Sequence, residues 1–98
     1  MSQGYEVLDR NWRCSQGEID LILRRGSTIV FCEVKTRSGT GFGLPAEAVN
    51  AAKQARIRRL GARWITENRG RVGGGSWSLR FDVASILRSQ VDVLEAAF

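Results

Sequence analysis

The chain of 98 residues contains no histidine. That absence removes the commonest general base and the commonest zinc-binding side chain together. Serine–histidine and cysteine–histidine triads, HExxH metalloproteases and histidine-based nucleases are excluded with it. Any catalysis falls to carboxylates, lysine, serine, cysteine or tyrosine. Cysteine is scarce as well. Cys14 and Cys32 lie far apart and form no CxxC pair, which argues against a disulfide scaffold or a zinc knuckle. No apolar run approaches the ~20 residues that a membrane-spanning helix needs. The opening Met1-Ser2-Gln3-Gly4-Tyr5 lacks a basic stretch followed by an apolar one, so no secretion signal is read. A cytosolic protein with reduced thiols is expected.

What is present suits one soluble domain spanning residues 1–98. Hydrophobic residues make up 43% and charged residues 26%, as in ordinary globular chains. A chain this short buries roughly two-thirds of the surface exposed when it is unfolded, enough for one modest core. The net charge of +5 is unevenly placed. Lys53, Arg56, Arg58, Arg59, Arg63, Arg69 and Arg71 face a single acid, Glu67, over residues 53–71. Such concentration points to a polyanionic partner such as nucleic acid; a solvated helix face is the plainer alternative.

The hydrophobic pattern predicts an order β-β-β-α-β-β. Tyr5 to Trp12 reads as a strand with uneven alternation, and the polar Arg13–Gly17 stretch as a turn. Glu18–Arg24 and Thr28–Thr36 read as strands paired across a turn at Arg25-Gly26-Ser27, the second being rich in β-branched and aromatic residues. Ser38–Gly43 reads as a flexible loop, and Leu44-Pro45 as the entry to a helix. In that helix Ile57, Leu60, Gly61, Trp64 and Ile65 form a core-facing stripe, with Lys53, Arg56, Arg59 and Arg63 on a neighbouring face. Asn68–Ser76 reads as a mobile connection and residues 77–84 as an alternating strand. Ser89-Gln90 reads as a turn, and residues 91–96 as a final strand or a frayed helix. The helix crossover suggests a mixed sheet, the chain returning parallel to an earlier strand.

Parity locates the chemistry. Side chains alternate along a strand, so Glu18 and Asp20 share a face of their strand and Glu33 and Lys35 share a face of the next. A two-residue turn at Arg25-Gly26 sets Asp20 opposite Phe31, diagonal to Glu33. A four-residue turn sets Asp20 directly opposite Glu33. Either register brings both carboxylates and the lysine to one face. Facing like charges destabilise a sheet, so compensation is needed, from Lys35 or from a divalent cation. Magnesium takes a few carboxylate and carbonyl oxygens and keeps several waters. Asp20, Glu33 and the Val34 carbonyl suit it, and manganese is the alternative. Such an ion polarises a phosphate and activates water for phosphodiester hydrolysis, while Lys35 orients that water or stabilises the charge developing on phosphate. The plainer reading is a surface ion-pair cluster.

Asp20, twelve residues and then Glu33-Val34-Lys35 resembles the PD-(D/E)xK motif of restriction-endonuclease-like nucleases. A wider set is more specific. Tyr5–Asn11, Gly17-Glu18-Ile19-Asp20-Leu21, Phe31–Arg37, Phe42-Gly43-Leu44-Pro45, Glu47-Ala48-Val49, Lys53 and Arg80-Phe81-Asp82 together resemble the YraN-like family of bacterial proteins. The resemblance covers nearly the whole chain. It implies an α/β restriction-endonuclease-like core, a central mixed sheet flanked by helix, related to archaeal Holliday-junction resolvases. It implies a metal-dependent nuclease for structured or branched DNA, in recombination or repair, with Asp20 and Glu33 as metal ligands and Lys35 as the catalytic lysine. Glu18, in the family's GEID motif, is a supporting acid or a partner of Lys35. The helix that usually precedes the Gly-Tyr segment is missing here, either because the chain is a shortened form or because this member lost it. A homodimer covering the exposed sheet is a compensation. The alternative function is a non-catalytic nucleic-acid-binding protein that keeps the fold, and a third is an interaction subunit for an acidic protein.

Other residues are assigned by local context. Lys53, Arg56, Arg59 and Arg63 are read as phosphate contacts, as are Thr36 and Arg37. Trp12, Trp64 and Trp77 are read as core residues rather than stacking platforms. Cys32, opposite in parity to Glu33 and Lys35, is read as a buried small hydrophobe. Asp82 is read as the partner of a nearby arginine rather than a metal ligand.

Overall fold

A computed structural model describes residues 4–37, 51–73, 77–87, 90–95 and 98. The β-branched and aromatic run that predicts a strong strand forms β3 (Thr28–Arg37). It pairs antiparallel with β2 (Gly17–Arg25), which pairs antiparallel with β1 (Glu6–Cys14). Helix α1 (Ala51–Glu67) then carries the chain back, so that β4 (Ser78–Leu87) runs parallel to β3, and β5 (Gln90–Leu94) closes antiparallel on β4. Among the described residues the strands make one five-stranded mixed sheet in the order β1-β2-β3-β4-β5. The expected α/β class and parallel return are both present, and the final segment is a strand rather than a frayed helix.

Three details differ from expectation. The β2–β3 loop is Gly26-Ser27, with Arg25 paired to Thr28, not Arg25-Gly26. Gly26 takes a φ of +58°, which glycine adopts without the clash a side chain brings. The resulting register sets Arg24 opposite Ile29, as the longer turn predicts. The stretch after Asn68 is not wholly a connection, since Arg69–Val72 forms the short helix α2 and buries Val72. The turn between β1 and β2 shrinks, because β1 runs on to Cys14 and β2 begins at Gly17. The predicted loop at Ser38–Gly43 and the helix entry at Leu44-Pro45 lie outside the described residues.

The core lies between α1 and the sheet. Ile57, Leu60 and Trp64 on α1 are buried against Ile19, Ile22, Ile29, Phe31, Phe81 and Val83. Phe31 meets Trp64 edge-on, with centroids 6.2 Å apart, and stacks on Phe81 at 5.4 Å. Burying one such side chain is worth roughly 1.5–3 kcal/mol, so this aromatic group fixes how α1 lies on the sheet. Gly61 belongs to the contact. A Cβ there would come within 3.1 Å of the Phe31 ring, so the absence of a side chain lets helix and strand close up. Trp64 is fully buried, while Trp12 and Trp77 pack against the core part-exposed.

Polar groups near the core find partners. Trp64 Nε1 donates to Asp9 Oδ2 at 2.7 Å. Arg71 reaches the same oxygen at 3.0 Å and also donates to the Leu8 carbonyl, which ties α2 to β1. Asp82, only 4% exposed, accepts two bonds from Arg80, at 3.0 and 2.9 Å. Arg80 in turn donates to the Tyr5 hydroxyl at 2.7 Å. The reading of Asp82 as an arginine partner therefore holds. Cys32 is buried, and its thiol is pushed up to about 11 by burial, with the Asp82 charge adding to it. Among the described residues no helix is long and apolar enough to cross a membrane.

Candidate functional site

Ladder pairing between β2 and β3 runs from Arg25↔Thr28 to Leu21↔Cys32. The next position along this register is Asp20 opposite Glu33. There a side chain takes over: Asp20 Oδ2 accepts the backbone N–H of Val34 at 2.8 Å. The carboxylate is thereby anchored to β3 at the point where the ladder stops. Strict alternation along β2 does not hold, because Ile19 and Ile22, three residues apart, enter the same buried cluster. Parity alone therefore gives too simple a picture of this strand; Asp20 and Glu33 line one cleft, and Lys35 touches Glu33 without lining it.

That cleft has a volume of about 210 Å³ and is lined by Gly17, Glu18, Asp20, Glu33, Lys53, Arg56 and Ile57. Strand β2 and Glu33 of β3 form the floor, and α1 supplies the roof. Gly17 keeps the roof close, since Leu60 and Arg56 come within 4 Å of where its Cβ would stand.

Glu33 is the electrostatic centre. Its side chain is 12% exposed, and Oε1 accepts from Lys53 Nζ at 2.8 Å and from Lys35 Nζ at 3.3 Å. The two ammonium groups crowd each other, and Lys53, with burial adding to it, holds Lys35 below the usual lysine range against the pull of Glu33. Asp20 is displaced the other way. Burial raises its carboxyl above the ordinary range, the Val34 N–H opposes this, and Glu33 and Glu18 add repulsion. Glu18 itself meets Arg13 at 2.9 Å and is half exposed. It lines the cleft, with Arg13 as its described partner.

The basic residues divide. Lys53, expected on phosphate, is bound to Glu33. Arg63 pairs with Glu67 one turn on, at 2.8 Å. Arg56 lines the cleft, and Arg56 and Arg59 are exposed. Arg58 lies over the rings of Phe81 and Phe98 instead. Arg37 ends β3, and its side chain, like that of Thr36, lies outside the described residues. The Lys53–Glu33 contact was missed by sequence reasoning, yet a signal for it exists. Lys53 stands four residues before the buried Ile57, which puts both on one helix stripe facing the sheet. The partners of Asp9 and Tyr5 carry no such local signal, because they lie 55 to 75 residues away in sequence.

The donor set suits a hard cation that keeps water. Among the described residues no three acidic, cysteine or histidine side chains gather into a cage. Of the three carboxylates that line the cleft, Asp20 and Glu33 are the two that could hold magnesium or manganese with waters in its remaining positions.

Comparison with known proteins agrees with the sequence motifs. Residues 1–86 match the family described as "Uncharacterised protein family UPF0102". A UPF0102 protein of Frankia alni is 57% identical over 88 residues, covering 90% of this chain and 70% of its own length. One from Beutenbergia cavernae is 49% identical and covers 91% and 72%. One from Nocardia farcinica is 50% identical and covers 97% and 76%. The chain therefore belongs to UPF0102, the YraN-like family.

Proposed function

We propose that the chain is a metal-dependent nuclease acting on structured or branched DNA. The observation that carries this reading is the convergence of Asp20 and Glu33 in one cleft, roofed by a basic helix and with Lys35 on Glu33. The mixed sheet with α1 crossing between β3 and β4 supports a restriction-endonuclease-like core. Asp20, Glu33 and the Val34 carbonyl would hold magnesium or manganese. When bound, the ion supplies Lewis acidity toward a phosphate oxygen and lowers the pKa of water.

The chain's own groups do the rest. The Val34 N–H fixes the Asp20 carboxylate, so its orientation needs no rearrangement when the site is used. Lys35, placed by β3 beside Glu33, presents a cation toward the phosphate on which charge develops. Arg56 at the cleft and Arg59, exposed one turn further along α1, contact the phosphate backbone. The decisive experiment is cleavage of linear, flapped and four-way DNA in Mg²⁺ or Mn²⁺ by the wild type and by Glu33→Ala. Loss of at least a hundredfold in rate is expected, the scale on which removal of one catalytic electrostatic group is felt. Cleavage unchanged by Glu33→Ala would sink the proposal.

One observation favours a second reading, nucleic-acid binding without cutting: two lysines hold Glu33. On that reading Glu33→Ala weakens neither cation binding nor DNA affinity, and no member of the substrate panel is cut.

A further inference from the structure

Glu33 already holds a cation, and that cation belongs to another element of the fold. Lys53 Nζ lies 2.8 Å from Glu33 Oε1, closer than Lys35 at 3.3 Å. The cleft also carries no excess of negative charge. Glu18, Asp20 and Glu33 bring three negative charges, which Lys53, Arg56, the adjoining Lys35 and Arg13 on Glu18 already meet. A divalent ion adds two positive charges to this set, next to an oxygen already held by two ammonium groups. Like charges a few ångströms apart in a part-buried cleft repel strongly. One ammonium must yield. Both lysines have flexible stems, but the Lys35 backbone lies two residues from Glu33 on the same strand. Lys53 reaches in from α1 on a long flexible stem, one turn from Arg56.

We propose that Lys53 is the resident counter-ion of Glu33, displaced when a divalent cation enters, and that the released ammonium then takes a phosphate of the nucleic acid. Lys53 thus couples the two ligands. Metal entry raises the cleft's positive charge and displaces the Lys53 ammonium from Glu33 beside Arg56, and an anionic phosphate offsets that charge. The metal strengthens nucleic-acid binding through Lys53, and by linkage nucleic acid strengthens metal binding by the same factor. The inference rests on the reading above only in assigning Asp20 and Glu33 to the cation. It makes Lys53 a positioning residue that competes with the metal before it helps the substrate.

The test is binding of Mn²⁺ alone to the full chain, followed by electron paramagnetic resonance, for the wild type, Lys53→Met, Lys53→Gln, Lys53→Arg and Asp20→Asn. Circular dichroism confirms that each variant is folded. Both neutral variants should bind Mn²⁺ on the order of tenfold more tightly than the wild type, within the usual range of coupling between sites. Lys53→Arg, which keeps the charge, should stay near wild type. A role for Lys53 in stability alone would not tighten Mn²⁺ binding. In a second measurement, Ca²⁺ should strengthen binding of a short DNA duplex to the wild type and do so much less in Lys53→Met. Mn²⁺ affinity that is unchanged or weakened in both neutral variants, with wild-type binding abolished by Asp20→Asn, overturns the counter-ion role and leaves the metal site intact. No Mn²⁺ binding by the wild type or by either neutral variant overturns both.

Discussion

Burial holds the Asp20 carboxyl above its ordinary range; the Val34 N–H pulls it down, and the charges of Glu33 and Glu18 push it up again. A raised folded pKa has a definite sign for stability. The folded chain binds the proton more readily than the unfolded one, so the ionised carboxylate costs stability. That cost is absent below the unfolded value near 4, grows as pH rises toward the raised folded value, and stays constant above it. Asp20→Asn removes the charge and keeps an oxygen to accept the Val34 N–H. At pH 7 the variant should melt higher than the wild type by about 3 °C, the shift that roughly half a kcal/mol gives in a domain this size. The gain should vanish near pH 3.5. Solvent reaching the cleft keeps the effect small, and adding Mg²⁺ should narrow the gap by stabilising the wild type alone. Thermal unfolding followed across pH decides it, and a gap independent of pH would show that the carboxylate's charge is not its cause.

At the scale of elements, α1 is held by a fit rather than by a charge pattern. Gly61 faces Phe31 closely enough that one added methyl already reaches 3.1 Å, and the ring is fully buried between Trp64 and Phe81. Gly61→Leu should therefore destabilise the chain by about 3 kcal/mol, at the upper end of what overpacking costs, despite leucine's better helix propensity. Denaturant unfolding measures it, and a loss below about 1 kcal/mol would mean that α1 can shift on the sheet. This element was legible in the sequence, because Ile57, Leu60, Gly61 and Trp64 recur with helical spacing and all four are buried. β3 was legible for the same kind of reason, its β-branched run admitting little else. The β2–β3 register was legible only in parity. A shift by two residues preserves which face each side chain takes, so composition left the choice open until Gly26-Ser27 closed the loop. Strict alternation then misled along β2, where Ile19 and Ile22 both turn to the core. α2 left no trace because four residues are too few to show a period, and Gly70 within it reads as loop. The Asp20–Glu33 site was readable because both partners flank one hairpin. The Lys53 contact was obscured by its neighbours: amid so many arginines, one lysine turned inward looks like part of a basic face.

For the molecule as a whole, the concentration of positive charge over residues 53–71 is less uniform in space than in sequence. Lys53 is taken up by Glu33, Arg63 by Glu67 and Arg71 by Asp9, while Arg58 lies over aromatic rings. Arg56 and Arg59 are exposed on α1, and Arg56 stands at the cleft. If the basic helix meets nucleic acid, these two should carry most of the phosphate contact. Each phosphate neutralised on duplex DNA contributes close to one unit to the slope of log affinity against log salt. Replacing both Arg56 and Arg59 with glutamine should flatten that slope by about two units and weaken binding similarly across sequences. Arg63→Gln should change the slope by less than one, because its guanidinium is shared with Glu67 at 2.8 Å and binding phosphate means giving up part of that pair. Duplex binding titrated over a range of salt separates the cases. Equal effects at positions 56, 59 and 63 would indicate that the ion pair opens freely and that the helix acts as an undifferentiated charged rod. No effect at any of the three would place the nucleic acid elsewhere on the molecule. An acidic protein partner would be distinguished by weaker salt dependence, since it releases no condensed counterions of the kind that sheathe DNA.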